Sequence, residues 1–78
     1  MLNGAQIKMA RAALNWSVSK LAVNSSVSIS TIKRMESGIG EYSTTAANLK
    51  LIRETLEAAG VEFIGSAGEG PGVRLWRR

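Results

Sequence analysis

Apolar residues recur at helical spacing over the first sixty positions, and the pattern changes after Gly60. Leu2, Ile7, Ala10 and Leu14 define one stripe and predict a first helix that ends at Asn15-Trp16. Asn3 stands where an N-cap belongs, and Gln6, three residues on, completes a capping box. Trp16 is expected to plug the core between helices. Ser17 caps a short second helix from Val18 to about Asn24, with Val18, Leu21, Ala22 and Ser25 inward. After a break at Ser25-Ser26 and the apolar Val27, Ser28 caps a third helix, Ile29 to about Ser37, with Ile32 and Met35 inward. Gly38-Ile39-Gly40 stops it. A fourth helix starts near Ser43 or Thr44 and runs to Ala59, with Ala46, Leu49, Ile52, Leu56 and Ala59 on its apolar face. On its other faces Lys50 can pair with Glu54 and Arg53 with Glu57. Gly60 is placed to adopt the left-handed conformation that closes a helix.

Beyond Gly60 the period shortens to two. Val61-Glu62-Phe63-Ile64 alternates like a strand, the residues from Gly65 to Gly72 form a glycine-rich loop, and Val73 to Trp76 form a second strand. Two short strands are marginal in water by themselves, so they need another surface or another chain. The pattern predicts a mainly α fold, four helices over residues 1–60 and a tail over 61–78 that forms a hairpin or pairs between chains.

Composition sharpens this picture by exclusion. A 78-residue chain makes one domain. So small a domain buries little of its surface, and with no cysteine to cross-link it, oligomerisation is the usual remaining support. The absence of both Cys and His removes Cys-based zinc sites, redox chemistry and the commonest general base, so no enzyme, metal or cofactor is expected. The glycine-rich loop lacks the Gly-Lys-Ser/Thr ending and following helix of a phosphate cradle. No apolar run is long enough to span a membrane, and Met1 and Leu2 lead straight into a polar helix start without signal-peptide features. A soluble cytoplasmic protein is therefore expected. Charge is unevenly spread: residues 1–34 carry five bases and no acid, +5, and residues 35–78 carry five bases and six acids, −1. The positive half suits a polyanion, although basic helix faces are often merely solvated.

The stretch Val27-Ser-Ile-Ser-Thr-Ile-Lys-Arg-Met-Glu-Ser-Gly38 resembles the recognition helix, and its exit, of the phage Cro and repressor (XRE-like) helix-turn-helix family. The likeness covers about residues 4–60 and includes Leu14-Asn-Trp-Ser17. Ala22 falls where the family needs a small residue at the helix crossing, and Val27, Ile32 and Met35 fall where it packs the pair. The resemblance implies a four-helix lambda-repressor-like domain whose third helix enters the major groove of double-stranded DNA. Ser17, Ser28, Ile29, Ser30, Thr31, Lys33, Arg34 and Ser37 are then the DNA-binding set. Hydroxyls can bond phosphates or bases, Ile29 can meet a thymine methyl, and Arg34 can fork onto guanine. Arg11 and Glu36 match a pair that ties the first helix to the third and orients the arginine near a phosphate.

Two departures stand out. Ser26 occupies a left-handed turn position where the family usually has glycine, at a cost of roughly 1 kcal/mol. Val18 replaces a glutamine that contacts the DNA backbone, a task left to Ser17 or Ser19. The tail resembles that of short bacterial members and implies strands pairing across a two-fold axis. Val61, Phe63, Ile64, Val73, Leu75 and Trp76 are the dimerisation candidates, with Arg74, Arg77 and Arg78 solvated or touching phosphate. The function implied is a homodimeric regulator, more in keeping with repression than activation, on an imperfect palindrome. The alternative is a protein-interaction module, such as an antitoxin binding a toxin or an antiactivator binding another regulator.

Overall fold

The computed structural model describes residues 2–37, 45–65 and 68–76. Four helices, α1 (Gly4–Leu14), α2 (Val18–Ser25), α3 (Ile29–Ser37) and α4 (Ala46–Ala58), precede two strands, β1 (Val61–Ile64) and β2 (Gly72–Leu75). Local chemistry explains most boundaries. Asn3 and Gln6 form the expected capping box: Asn3 Oδ1 accepts the Gln6 N–H at 2.9 Å, and Gln6 Oε1 accepts the Asn3 N–H at 3.1 Å. Ser17 Oγ accepts the Lys20 N–H at 3.0 Å and starts α2. α2 runs one residue past Asn24, to Ser25, whose Oγ donates to Leu21 O and accepts the Val27 N–H. This buried hydroxyl thus holds the corner into α3. For α4 the expected caps, Ser43 and Thr44, lie outside the described residues; Thr45 does the capping, accepting the Asn48 N–H at 3.1 Å.

Ile7, Ala10, Leu21, Ile32, Ile52 and Leu56 are fully buried, with Leu2, Val27, Met35 and Val61 nearly so. One core therefore draws on all four helices and on β1. Five inward expectations soften: Leu14, Val18, Ala22 and Leu49 are half-buried, and Ala46, in the first turn of α4, is exposed. Trp16 is also half-buried, lying against the core rather than filling it, with Lys20 Nζ 5.5 Å from its ring centre. Gly60 takes φ 109°, the left-handed closure expected after α4.

The strands pair with each other inside the chain. β1 and β2 are antiparallel, with Val61 opposite Leu75 and Phe63 opposite Val73. The second strand is shifted by one residue from the expected span, but the Trp76 N–H still donates to Gly60 O at 2.8 Å. β2 lies on α1 and β1 on α4, so the surface that the two short strands required comes from the helices. Gln6 Nε2 secures the loop end of this hairpin, donating to Gly72 O at 3.0 Å and Ile64 O at 3.3 Å. Gln6 is thus both a local cap and a long-range clip, and only 2% exposed. The hairpin shares the helices' core and is no loose appendage. Val61, a dimerisation candidate from sequence, is a core residue at 3% exposure.

A candidate nucleic-acid interface on the third helix

α2 and α3 meet through a tight turn. Ser26 closes α2 at φ 63°, ψ 25°, with its N–H on Ala22 O at 2.9 Å. It therefore holds the left-handed conformation expected where the family favours glycine, with its Cβ crowded against its own backbone carbonyl. Val27 then drops into the core and fixes where α3 begins.

The buried face of α3 consists of Ile32, Met35 and Glu36. Ile32 is fully buried and Met35 1% exposed, so the helix cannot roll without opening the core. Its outward face then presents Ile29, Ser30, Lys33, Arg34 and Ser37, with Thr31 half-buried at the margin. Ser28 precedes the helix and caps it: its Oγ accepts the Thr31 N–H at 3.2 Å and donates to Thr31 Oγ1 at 2.8 Å. Ser37 Oγ donates to Arg34 O at 2.7 Å. Ser17, at the start of α2, is exposed but spends an oxygen lone pair on its cap. The fold therefore gathers Ile29, Ser30, Lys33 and Arg34 on one exposed helix face, while several of the hydroxyls have structural duties.

Glu36 is the only acid among residues 1–37, and it faces inward. Arg11 grips it with both arms, Nε on Oε2 at 2.6 Å and Nη2 on Oε1 at 2.7 Å, and uses Nη1 on Trp16 O at 3.0 Å. The Arg11 and Glu36 side chains are 19% and 5% exposed. Hydrogen bonding to Glu36 raises the Arg11 pKa above its ordinary value, against the opposing effect of burial, and the carboxylate's charge adds to the rise. This fork ties α1, the α1–α2 corner and α3 together, and it neutralises the one acid that would weaken a positive face. Lys33 and Arg34 have no carboxylate partner among the described residues, whereas the bases of α4 and β2 do. Lys50 pairs with Glu54 at 3.9 Å, Arg53 with Glu57 at 3.1 Å and Arg74 with Glu62 at 3.2 Å.

One feature of this scaffold has no sequence signature. Gly4 lies so close to the end of α3 that an added Cβ would collide with Met35 O and fall 3.1 Å from Glu36 Cα. The glycine lets the first turn of α1 rest directly on the backbone of α3.

An exposed helix face with free cations and no acid, held by a buried helix pair joined through a left-handed turn, defines a helix-turn-helix DNA-binding protein. The chain belongs to the helix-turn-helix family of Cro/XRE-like regulators, whose model matches residues 7–62. A comparison with curated proteins gives no match. Among the described residues no helix is long and apolar enough to cross a membrane.

Proposed function

We propose that this chain is a sequence-specific transcriptional repressor that binds an imperfect palindrome as a homodimer, in the cytoplasm and without catalytic activity of its own. The reading rests on the outward face of α3, where Lys33 and Arg34 have no carboxylate partner among the described residues and the nearby Glu36 is neutralised by Arg11. Lys33 and Arg34 supply the charged contacts, Ile29, Ser30, Thr31 and Ser37 line the surface beside them, Ser17 approaches a phosphate at the start of α2, and Ser28 holds the start of α3 in place. Arg34 is the base reader and Lys33 a phosphate contact.

Pairing of two chains is supported by the hairpin. Among the described residues β2 has no strand on its outer side, and its end exposes Leu75 and Trp76 by 45% and 56%. Phe63, Ile64 and Val73 are half-buried beside them. An open strand edge flanked by apolar side chains favours pairing with a second copy.

A gel-shift titration against upstream DNA at two salt concentrations, with excess random DNA, tests the reading. A shift that survives the competitor and weakens with salt is expected. Arg34→Ala should erase the preference for the specific site, whereas uniform weakening would make Arg34 a phosphate contact. No shift at any salt would refute DNA reading by α3 and favour a protein-interaction module instead.

A further inference from the structure

The first turn of α3 carries three hydroxyls and one large apolar side chain, and two of the hydroxyl protons are already committed within the chain. Ser28 Oγ gives its single proton to Thr31 Oγ1 at 2.8 Å. Its 3.3 Å contact with Ser30 Oγ must then have Ser30 as donor, and its other lone pair takes the Thr31 N–H. Ser28 is saturated, and Ser30 points its proton away from any ligand. Ile29 has no such commitment. It is 42% exposed on the reading face, outside the core cluster, three residues from the fully buried Ile32.

In the major groove thymine shows an acceptor at O4 and a methyl at C5, whereas cytosine shows a donor at N4 and a bare C5. Telling thymine from 5-methylcytosine therefore needs a polar group aimed at position 4. Lys33 and Arg34 sit four and five residues further along, about 6–7.5 Å of helix rise, which is roughly two base-pair steps away. Thr31 Oγ1 keeps its own proton but is half-buried at the margin of the face, so the exposed side chain that the first turn brings to C5 is the apolar Ile29. We infer that Ile29 recognises the 5-methyl group of a pyrimidine and accepts thymine and 5-methylcytosine alike. This rests on the proposed placement of α3 in the major groove. It makes the binding of a cytosine-containing variant operator responsive to cytosine-5 methylation.

The test begins with an operator selected from random DNA by the wild-type chain and by Ile29→Ala. At the position where the wild type alone prefers thymine, duplexes are made with thymine, deoxyuridine, cytosine or 5-methylcytosine. Thymine and 5-methylcytosine should bind within about twofold of each other. Deoxyuridine and cytosine should bind about fourfold more weakly per half-site, the factor that ~0.8 kcal/mol for one buried methyl represents. Ile29→Ala should bind all four alike while keeping its melting temperature, as befits an exposed side chain, and Ile29→Val should show an intermediate preference. Deoxyuridine binding as well as thymine, 5-methylcytosine behaving like cytosine, or a thymine preference surviving in Ile29→Ala would overturn the inference alone. Failure of the wild type to select any DNA sequence would remove the DNA-reading assignment and this inference with it.

Discussion

Removing the Glu36 carboxylate should be among the most damaging single changes in the protein. In Glu36→Ala, two charge-assisted hydrogen bonds of 2.6 and 2.7 Å disappear, and the Arg11 guanidinium is stranded with only Trp16 O as a partner. Breaking one partner of a buried ion pair costs about 3–5 kcal/mol. Arg11 keeps some solvent access at 19% exposure, so the lower end, about 3 kcal/mol, is the better expectation. That is a large share of the ~5–15 kcal/mol that typically holds a domain together. For a chain of this length it corresponds to a fall in melting temperature of roughly 12–24 °C. The assay is thermal or urea unfolding at fixed protein concentration, with Glu36→Gln as a shape-conserving control and the Arg11→Ala/Glu36→Ala double variant closing a cycle. Glu36→Gln should lose less, and the double variant should be more stable than the sum of its singles by about 2 kcal/mol or more. DNA affinity should fall with stability, because α3 loses its tie to α1. A loss below about 1 kcal/mol, or singles that add within ~0.5 kcal/mol, would refute the view that this pair holds α3 in place. The sign of the pH dependence follows from the raised Arg11 pKa. A cation whose pKa rises on folding contributes fully below its unfolded value and loses that contribution only as pH rises through the folded one. The Arg11 contribution should therefore be flat across the neutral range and vanish only in strong alkali.

Three further changes probe the scaffold. Ser26→Gly relieves a left-handed residue at φ 63° and should raise stability by about 0.5–1 kcal/mol, net of glycine's greater unfolded-state freedom; an unchanged or lower melting temperature contradicts that account. Gly4→Ala drives a Cβ into Met35 O and should cost about 1–3 kcal/mol in urea unfolding by forcing α1 off α3, so a neutral result would show that the first turn shifts freely. Gln6→Ala removes the capping box and both hydrogen bonds to the hairpin. It should cost about 2–4 kcal/mol and selectively raise hydrogen exchange in β1 and β2, and unchanged strand protection would deny the clip its role.

What the chain declares locally, it declares in order. The caps Asn3, Ser17 and Ser28, the apolar spacing of Ile7, Ala10, Leu21, Ile32, Ile52 and Leu56, and the closing Gly60 depend on contacts within a turn or two, and periodicity and residue type report them directly. The same holds for most of α3: once Ile32 and Met35 are inward, Lys33 and Arg34 must be outward, whereas Ile29, one turn before Ile32, owes its exposure to its place at the start of the helix. The Arg11–Glu36 fork spans 25 residues, and only the family likeness pointed to it; no spacing rule could.

Tertiary structure decided everything that required two distant segments to meet. Gln6 looks like a helix cap in sequence, and its bonds to residues 58 and 66 positions away exist only because β1 and β2 fold back over α1 and α4. Gly4 is unremarkable until the backbone of α3 arrives beside it. Val61 reads as a strand residue available to another chain, but the helices take it first, because burying it completes the chain's own core. Which hydroxyls at the start of α3 remain for a ligand was likewise decided by three-dimensional hydrogen bonding, since Ser28, Ser30 and Thr31 all read as hydroxyl side chains in sequence and only the structure shows where their protons go. Local sequence sets periodicity and caps because those interactions close within a turn. Long-range pairing depends on the relative placement of whole elements, which no single stretch of chain encodes.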